Sequence, residues 1–152
     1  MNLNLDKNLI FPNLEFEKKE DVLNFMSGKL LEYKYVKPGY QKAIIDRENI
    51  YPTGLPSLGV NIAIPHADND LVNKTTIAIG ILKKAAKFCS MENIEKELDV
   101  QIVMMLAIKE PHGQIEMLQK VVSIIQNDKL TKKITEMTDK DKVLSVLEPY
   151  LN

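Results

Sequence analysis

Val100-Gln101-Ile102-Val103-Met104-Met105-Leu106-Ala107-Ile108 is apolar throughout except for Gln101. That continuity fits a strand covered on both faces, so the chain should hold a sheet with helices above and below. Working upstream, Thr75 to Leu82 is strand-like, rich in Thr and Ile. Val60 to Ile64 reads as a third strand; Ile64 precedes a proline and is pushed to extended geometry. Pro65 cannot donate a ladder hydrogen bond, so that strand should end there or lie at an edge. Leu9-Ile10-Phe11, before Pro12, reads as a short first strand. Around these strands lie helical patterns. Lys18 to Val36 carries Val22, Phe25, Met26, Leu30 and Tyr33 close to helical spacing. Pro38-Gly39 breaks it, and a second helix runs from about Tyr40 to Ile50 with Ala43, Ile44 and Ile45 inward. Pro52, Gly54, Pro56 and Gly59 make the next segment a structured loop. Downstream, Pro111-His112-Gly113 opens a helix whose buried stripe reads Ile115, Leu118, Val121, Val122 and Ile125. Helical pieces over about Lys129 to Met137 and Lys140 to Tyr150 follow, the last with Asp139 placed to cap it. The sum is an α/β class, a small sheet with helices on both faces.

The 152 residues fit one compact domain over 1–152, long enough to bury a substantial core. No repeat, low-complexity tract or linker interrupts it. A hydrophobic fraction of 45% and a charged fraction of 27% are those of an ordinary globular protein. The net charge of -1 gives no nucleic-acid surface, which needs a basic excess. No apolar run reaches the ~18 residues of a membrane span. Met1-Asn2-Leu3-Asn4-Leu5-Asp6 lacks the basic start and apolar stretch of a secretory leader. The single Cys89 excludes an intrachain disulfide and suits a reducing cytoplasm. It has no histidine near it in sequence and reads as an inert packing residue.

Several chemistries are excluded by missing patterns. There is no G-x-x-x-x-G-K-[ST], no G-x-G-x-x-G and no H-E-x-x-H. Two histidines and one cysteine make no standard structural zinc site without carboxylates, and no metal or cofactor is expected. Asp68-Asn69-Asp70 starts like a calcium loop but lacks the later glycine and glutamate, so it reads as a turn. Ser57 sits at the wrong spacing for a nucleophile elbow. Lys83, Lys84 and Lys87 read as a solvated loop face.

What remains is His66, at the tip of Val60-Asn61-Ile62-Ala63-Ile64-Pro65-His66. Imidazole has an ordinary pKa near ~6.5, so a neutral fraction exists at pH 7. Its free lone pair attacks phosphorus well, and the phosphoramidate formed can pass the group on. Phosphoryl transfer otherwise asks for in-line positioning and for cations or donors on the phosphoryl oxygens. Arg47 offers a fixed fork-shaped cation. A helix N-terminus near Gly113-Gln114 offers backbone N–H groups and a favourable dipole, and Gln114 a side-chain donor. Local pattern alone does not decide the matter: a histidine after a strand is more often structural, and a nearby arginine is more often a surface ion pair.

Ile62-Ala63-Ile64-Pro65-His66, preceded by Arg47-Glu48 and Pro52-Thr53-Gly54, resembles the fructose/mannitol-type IIA components of the bacterial sugar phosphotransferase system. The segment Tyr51-Pro52-Thr53-Gly54 resembles most the galactitol-specific branch. The resemblance covers nearly the whole chain. It implies a five-stranded mixed sheet flanked by helices, of the phosphotransferase/anion transport-like kind. It implies a phosphohistidine carrier with His66 phosphorylated on Nε2, and it places the phosphate-side arginine on Arg47. It implies the phosphocarrier HPr as donor, a cysteine of a cognate IIB as acceptor, and a IIC component through which sugar enters. Mannitol- and fructose-type members often carry a second histidine just before the residue that opens the late helix's stripe. That position is Gln114 here, a donor that carries no charge; His112, two residues earlier, is the alternative candidate for contact with the phosphate.

The resemblance implies a cytoplasmic phosphotransferase component with no nucleic-acid partner, no cofactor and no membrane insertion of its own. A regulatory IIA-like protein, binding targets according to its phosphorylation state, is the alternative output. A binding module, or a small hydrolase using His66 with Asp68, lacks any serine or cysteine nucleophile in a recognisable setting. Because one patch must receive donor and acceptor in turn, the rim of His66 should be apolar, with Leu55, Leu58 and Leu71 as its expected residues.

Overall fold

The apolar run at 100–108 lies, up to Ala107, in β5 (Glu97–Ala107), at the centre of the sheet. A computed structural model describes Leu3 and residues 5–151. Met1, Asn2, Asn4 and Asn152, and with them part of the stretch in which no leader is expected, lie outside the described residues. The other strands are β1 (Ile10–Leu14), β2 (Gly54–Leu55), β3 (Asn61–Ala63) and β4 (Thr76–Cys89). They form one mixed sheet in the order β1-β4-β5-β3-β2. β1 runs parallel to β4, β4 antiparallel to β5, β5 parallel to β3, and β3 antiparallel to β2. The five helices are α1 (Lys19–Glu32), α2 (Tyr40–Ile50), α3 (Gly113–Ile125), α4 (Asp128–Thr135) and α5 (Lys140–Leu151).

The strand at 100–108 is indeed covered on both faces. Val103, Met105 and Ala107 join one buried cluster with Val22, Met26, Tyr40 and Ile44 of α1 and α2. Ile102, Met104 and Leu106 join the other with Met117, Val121, Ile134 and Val143 of α3, α4 and α5. Each Val, Ile, Leu or Met side chain among these contributes about 1.5–3 kcal/mol on removal from water, before entropy is subtracted. The molecule is thus three-layered, with helices on both faces of a five-stranded mixed sheet.

Four local expectations are corrected. Lys83, Lys84 and Lys87 do not lie in a loop; β4 runs on through them to Cys89. An irregularity between Ile81 and Ala86 shifts the pairing with β5, and beyond it only one face of β4 stays covered, by Ala86 and Phe88. The lysines stand on the open side, with Lys87 paired to Asp99 at 2.5 Å and Lys83 to Glu15 at 3.0 Å. The 52–59 loop contains a two-residue strand, β2. α1 stops at Glu32 rather than Val36: Lys34 adopts a left-handed φ of 65°, and the N–H groups of Lys34 and Tyr35 turn back onto the carbonyls of Leu31 and Leu30. Lastly, α3 buries Met117, Val121, Ile124 and Ile125, whereas Ile115 is 65% and Val122 37% exposed. The helix carries two apolar stripes, and the sheet takes the one that includes Met117. Asp139 caps α5, its side chain accepting from the N–H of Asp141 at 2.9 Å.

Candidate functional site

The site is assembled where α2 and β3 end and α3 begins. α2 is pinned to the sheet by the Tyr40 hydroxyl, which donates to the Leu106 carbonyl at 2.7 Å. Its last turn carries Arg47 and Glu48. Neighbours on a helix point ~100° apart, so one turns inward and the other to the rim. Glu48 is 2% exposed. Its Oε2 accepts from the Thr53 N–H and its Oε1 from the Thr53 hydroxyl, both at 2.8 Å. Burial pushes its carboxyl up to about 7, against these two bonds and the charges of Lys19 and Arg47, which lower it.

Thr53 passes the anchoring on. Its carbonyl accepts from the Ile64 N–H at 3.2 Å. The next residue must be glycine: a Cβ at Gly54 would lie 2.6 Å from the Cys89 carbonyl oxygen. Beyond β3 the chain is held residue by residue. The Pro65 carbonyl accepts from the Leu106 N–H at 2.8 Å. The Ala67 carbonyl accepts from Gln114 Nε2 at 3.3 Å. Between them, His66 Nδ1 stands 2.9 Å from the Ile64 carbonyl. A carbonyl only accepts, so Nδ1 carries the hydrogen and Nε2 keeps its lone pair. Burial lowers the pKa of the half-buried ring and the Arg47 charge acts the same way, while the Ile64 carbonyl and Asp68 oppose them. The neutral, nucleophilic form therefore prevails at pH 7.

Arg47 lies at the rim with a guanidinium 3.9 Å from Asp68 and 5.5 Å from the Tyr51 ring centroid. The Asp68 side chain is 78% exposed, so that pair is worth only ~0–1 kcal/mol. Arg47 Nε is buried and has no hydrogen-bond partner. Such a donor costs roughly 1–3 kcal/mol until an acceptor meets it.

His66 and Gln114 line a depression of about 250 Å³ together with Ile64, Met91, Leu106, Ile115 and Leu118. Arg47 is not part of its lining; it reaches His66 through its charge. His112, the alternative to Gln114, is exposed at the N-cap of α3 and does not line the depression. The apolar rim exists, but its expected residues need correcting. Leu55 and Leu71 pack partly buried against the two cores, and Leu58 is 99% exposed in its loop. Met91, Ile115 and Leu118 take that place. Met91 follows the end of β4 and has no local sequence signal of its own. Among the described residues no group of three or more His, Cys, Asp or Glu side chains is placed to hold a metal ion. No helix of these residues is long and apolar enough to cross a membrane.

A family model, "Phosphoenolpyruvate-dependent sugar phosphotransferase system, EIIA 2", matches residues 3–150. The chain belongs to this family. EIIA 2 proteins are components of a phosphotransferase system, so the family is one of transferases. Among relatives, the mannitol-specific EIICBA component of Vibrio cholerae is 31% identical over 147 residues, 94% of this chain and 21% of that protein. The fructose-specific EIIABC component of Bacillus subtilis is 26% identical over 152 residues, 96% of this chain and 22% of that protein. The chain spans about a fifth of the length of these curated relatives. The crystal structure of IIA mannitol from Escherichia coli matches with a TM-score of 0.79 at 26% identity, over 95% of this chain and 99% of that one. The IIA–phosphorylated IIB complex of the E. coli mannitol system matches with a TM-score of 0.82 at 23% identity, over 97% of this chain and 99% of that one. The α/β architecture is that of EIIA 2 proteins.

Proposed function

We propose that residues 1–152 form one EIIA domain that acts as the phosphoryl carrier of a sugar phosphotransferase system. Nε2 of His66 attacks the phosphorus of a phosphohistidine on HPr, the donor imidazole leaves, and the N–P bond of phospho-His66 forms. A cysteine thiolate of a cognate IIB then attacks that phosphorus, forms an S–P bond and returns Nε2 with its lone pair. IIB hands the group on to sugar admitted by IIC. The observation that carries this reading is the hydrogen bond from His66 Nδ1–H to the Ile64 carbonyl, which directs the only free lone pair of the ring to Nε2. Support comes from the partly exposed guanidinium of Arg47, whose charge acts on His66 and would favour a phosphoryl group there. Gln114, in the first turn of α3, lines the depression and would add a side-chain donor to the transferred group. His112 is left outside this contact.

The partners are proposed to dock on the apolar rim of the depression, which continues along Ile115, Leu118 and Val122 of α3. Support for a IIB partner comes from the E. coli mannitol complex that shares the fold. A sugar or sugar alcohol is the substrate class; mannitol and fructose are those of the matched relatives. The galactitol branch rests on Tyr51-Pro52-Thr53-Gly54 alone. With IIB in the cytoplasm-facing position that HPr requires, the chain works in the cytoplasm.

The test is incubation with phosphorylated HPr followed by intact-mass measurement. A single acid-labile phosphate adduct is expected, absent from His66→Ala. An adduct that survives His66→Ala, or none on the natural sequence, refutes the reading.

A further inference from the structure

Glu48 is a buried carboxyl that the chemistry above does not use. It stands at the head of a connected path. Its Oε2 holds the Thr53 N–H at 2.8 Å, the Thr53 carbonyl holds the Ile64 N–H at 3.2 Å, and the Ile64 carbonyl holds His66 Nδ1–H at 2.9 Å. The path crosses from α2 through the 51–54 loop to the end of β3. We infer that Glu48 is a positioning residue for phosphoryl transfer, fixing through Thr53 and Ile64 the ring orientation and the tautomer that leave Nε2 of His66 as the nucleophile.

Three features make this more than a buried salt-free carboxyl that happens to be satisfied. First, β2 and β3 span only two and three residues, so few ladder bonds fix where Ile64 sits. Second, Gly54 packs without room for a Cβ against the Cys89 carbonyl, so movement of Thr53 is transmitted rather than absorbed. Third, both Thr53 bonds end on one carboxyl, and the charges acting on it, Lys19 of α1 and Arg47 of α2, are the ones already named. Either protonation state keeps the backbone link. A protonated oxygen donates to the Thr53 hydroxyl while the other oxygen still accepts from the N–H. Glutamine reproduces that arrangement, its amide oxygen on the N–H and its NH2 group on the hydroxyl. Aspartate keeps the charge but is one methylene too short for a 2.8 Å contact. Displacing reacting atoms by ~1 Å costs on the order of a hundredfold in rate.

The inference rests on the carrier reading for its rate measurement, whereas its second readout is independent of it. The experiment compares Glu48→Gln, Glu48→Asp and Glu48→Ala with the natural sequence, each checked for fold by circular dichroism. Phosphorylation by phosphorylated HPr is timed, and the imidazole of His66 is observed by 15N NMR in the unphosphorylated protein. The resonance missing from His66→Ala identifies it. Glu48→Gln is expected to keep the Nδ1–H tautomer and a rate within about threefold. Glu48→Asp and Glu48→Ala are expected to show mixed tautomers and rates about tenfold to a hundredfold lower. A folded Glu48→Asp with the natural tautomer and rate overturns the inference, as does a Glu48→Gln as impaired as Glu48→Ala. Should Glu48→Ala fail to fold, the Gln–Asp pair decides. Should the natural sequence take no phosphate, the carrier reading falls while the tautomer comparison still judges Glu48.

Discussion

The β4–β5 ribbon and the β2–β3 corner are parts of one sheet built on opposite terms. The ribbon pairs from Thr76–Ala107 to Cys89–Glu97 and buries both faces of its inner half. Each residue there is held by ladder pairing on the sheet and by packing on both faces. The corner has strands of two and three residues and is placed by single hydrogen bonds, one each for Ile64, Pro65, the His66 ring and Ala67. On the proposed reading, stability resides in redundancy at the centre, and the orientation of the His66 ring resides in a few single bonds at the edge.

That contrast can be broken by changes at the centre that spare the chemistry. Met104→Ala, at a fully buried position of β5, should cost about 2–5 kcal/mol in denaturant unfolding. The rate of phosphorylation of the folded protein should stay unchanged; a parallel loss of rate would show that the two regions are not separable. The converse change is Arg47→Ala, at the rim. It should lower phosphorylation about a hundredfold by removing a donor to the phosphoryl oxygens. Denaturant midpoints should barely move. Since the Arg47 charge helps depress His66, the acidic limb of the pH–rate profile should also shift upward, toward the ordinary histidine range.

The smallest effect sharpens the comparison, because Glu48 is buried like the centre yet anchors the corner through Thr53. Its folded carboxyl titrates near 7 against an ordinary value of 4.5, so the folded state binds the proton more tightly. The associated stability is fully present below the ordinary value and is lost as pH rises through 7. Glu48→Gln cannot ionise. Its stability relative to the natural sequence should thus rise by about 2 kcal/mol between pH 5 and pH 8. Unfolding curves at the two pH values that keep a constant difference would show that Glu48 is not desolvated.

Much of this was readable in the chain itself. The run at 100–108 announced a doubly covered strand, and proline and glycine marked the ends of α2 and β3. His66 stood out beside the proline that follows β3, but local pattern left its role open, and it was the family resemblance that singled it out together with Arg47 and Gln114. What escaped was set by tertiary packing. Lys83 to Lys87 read as a loop because a strand covered on one side only looks locally like a polar segment. β2 is too short for any period. In α3 the spacing allowed two stripes, and only the sheet's shape selects Met117 over Ile115. The partnership of Glu48 with Thr53 depends on how the 51–54 loop folds back, which no spacing encodes, although Arg47-Glu48 itself was visible.

The outer strands have a consequence of their own. β2 is two residues long and the Gly54 carbonyl already accepts from the Met91 N–H at 2.8 Å, while β1 is interrupted by Pro12, by Asn13 at a φ of 62° and by a slip in register between Phe11 and Leu14. Neither border can serve as a template on which a foreign extended segment would anneal. A sheet closed off in this way can be tethered beside sister modules, at high local concentration, without fusing to them.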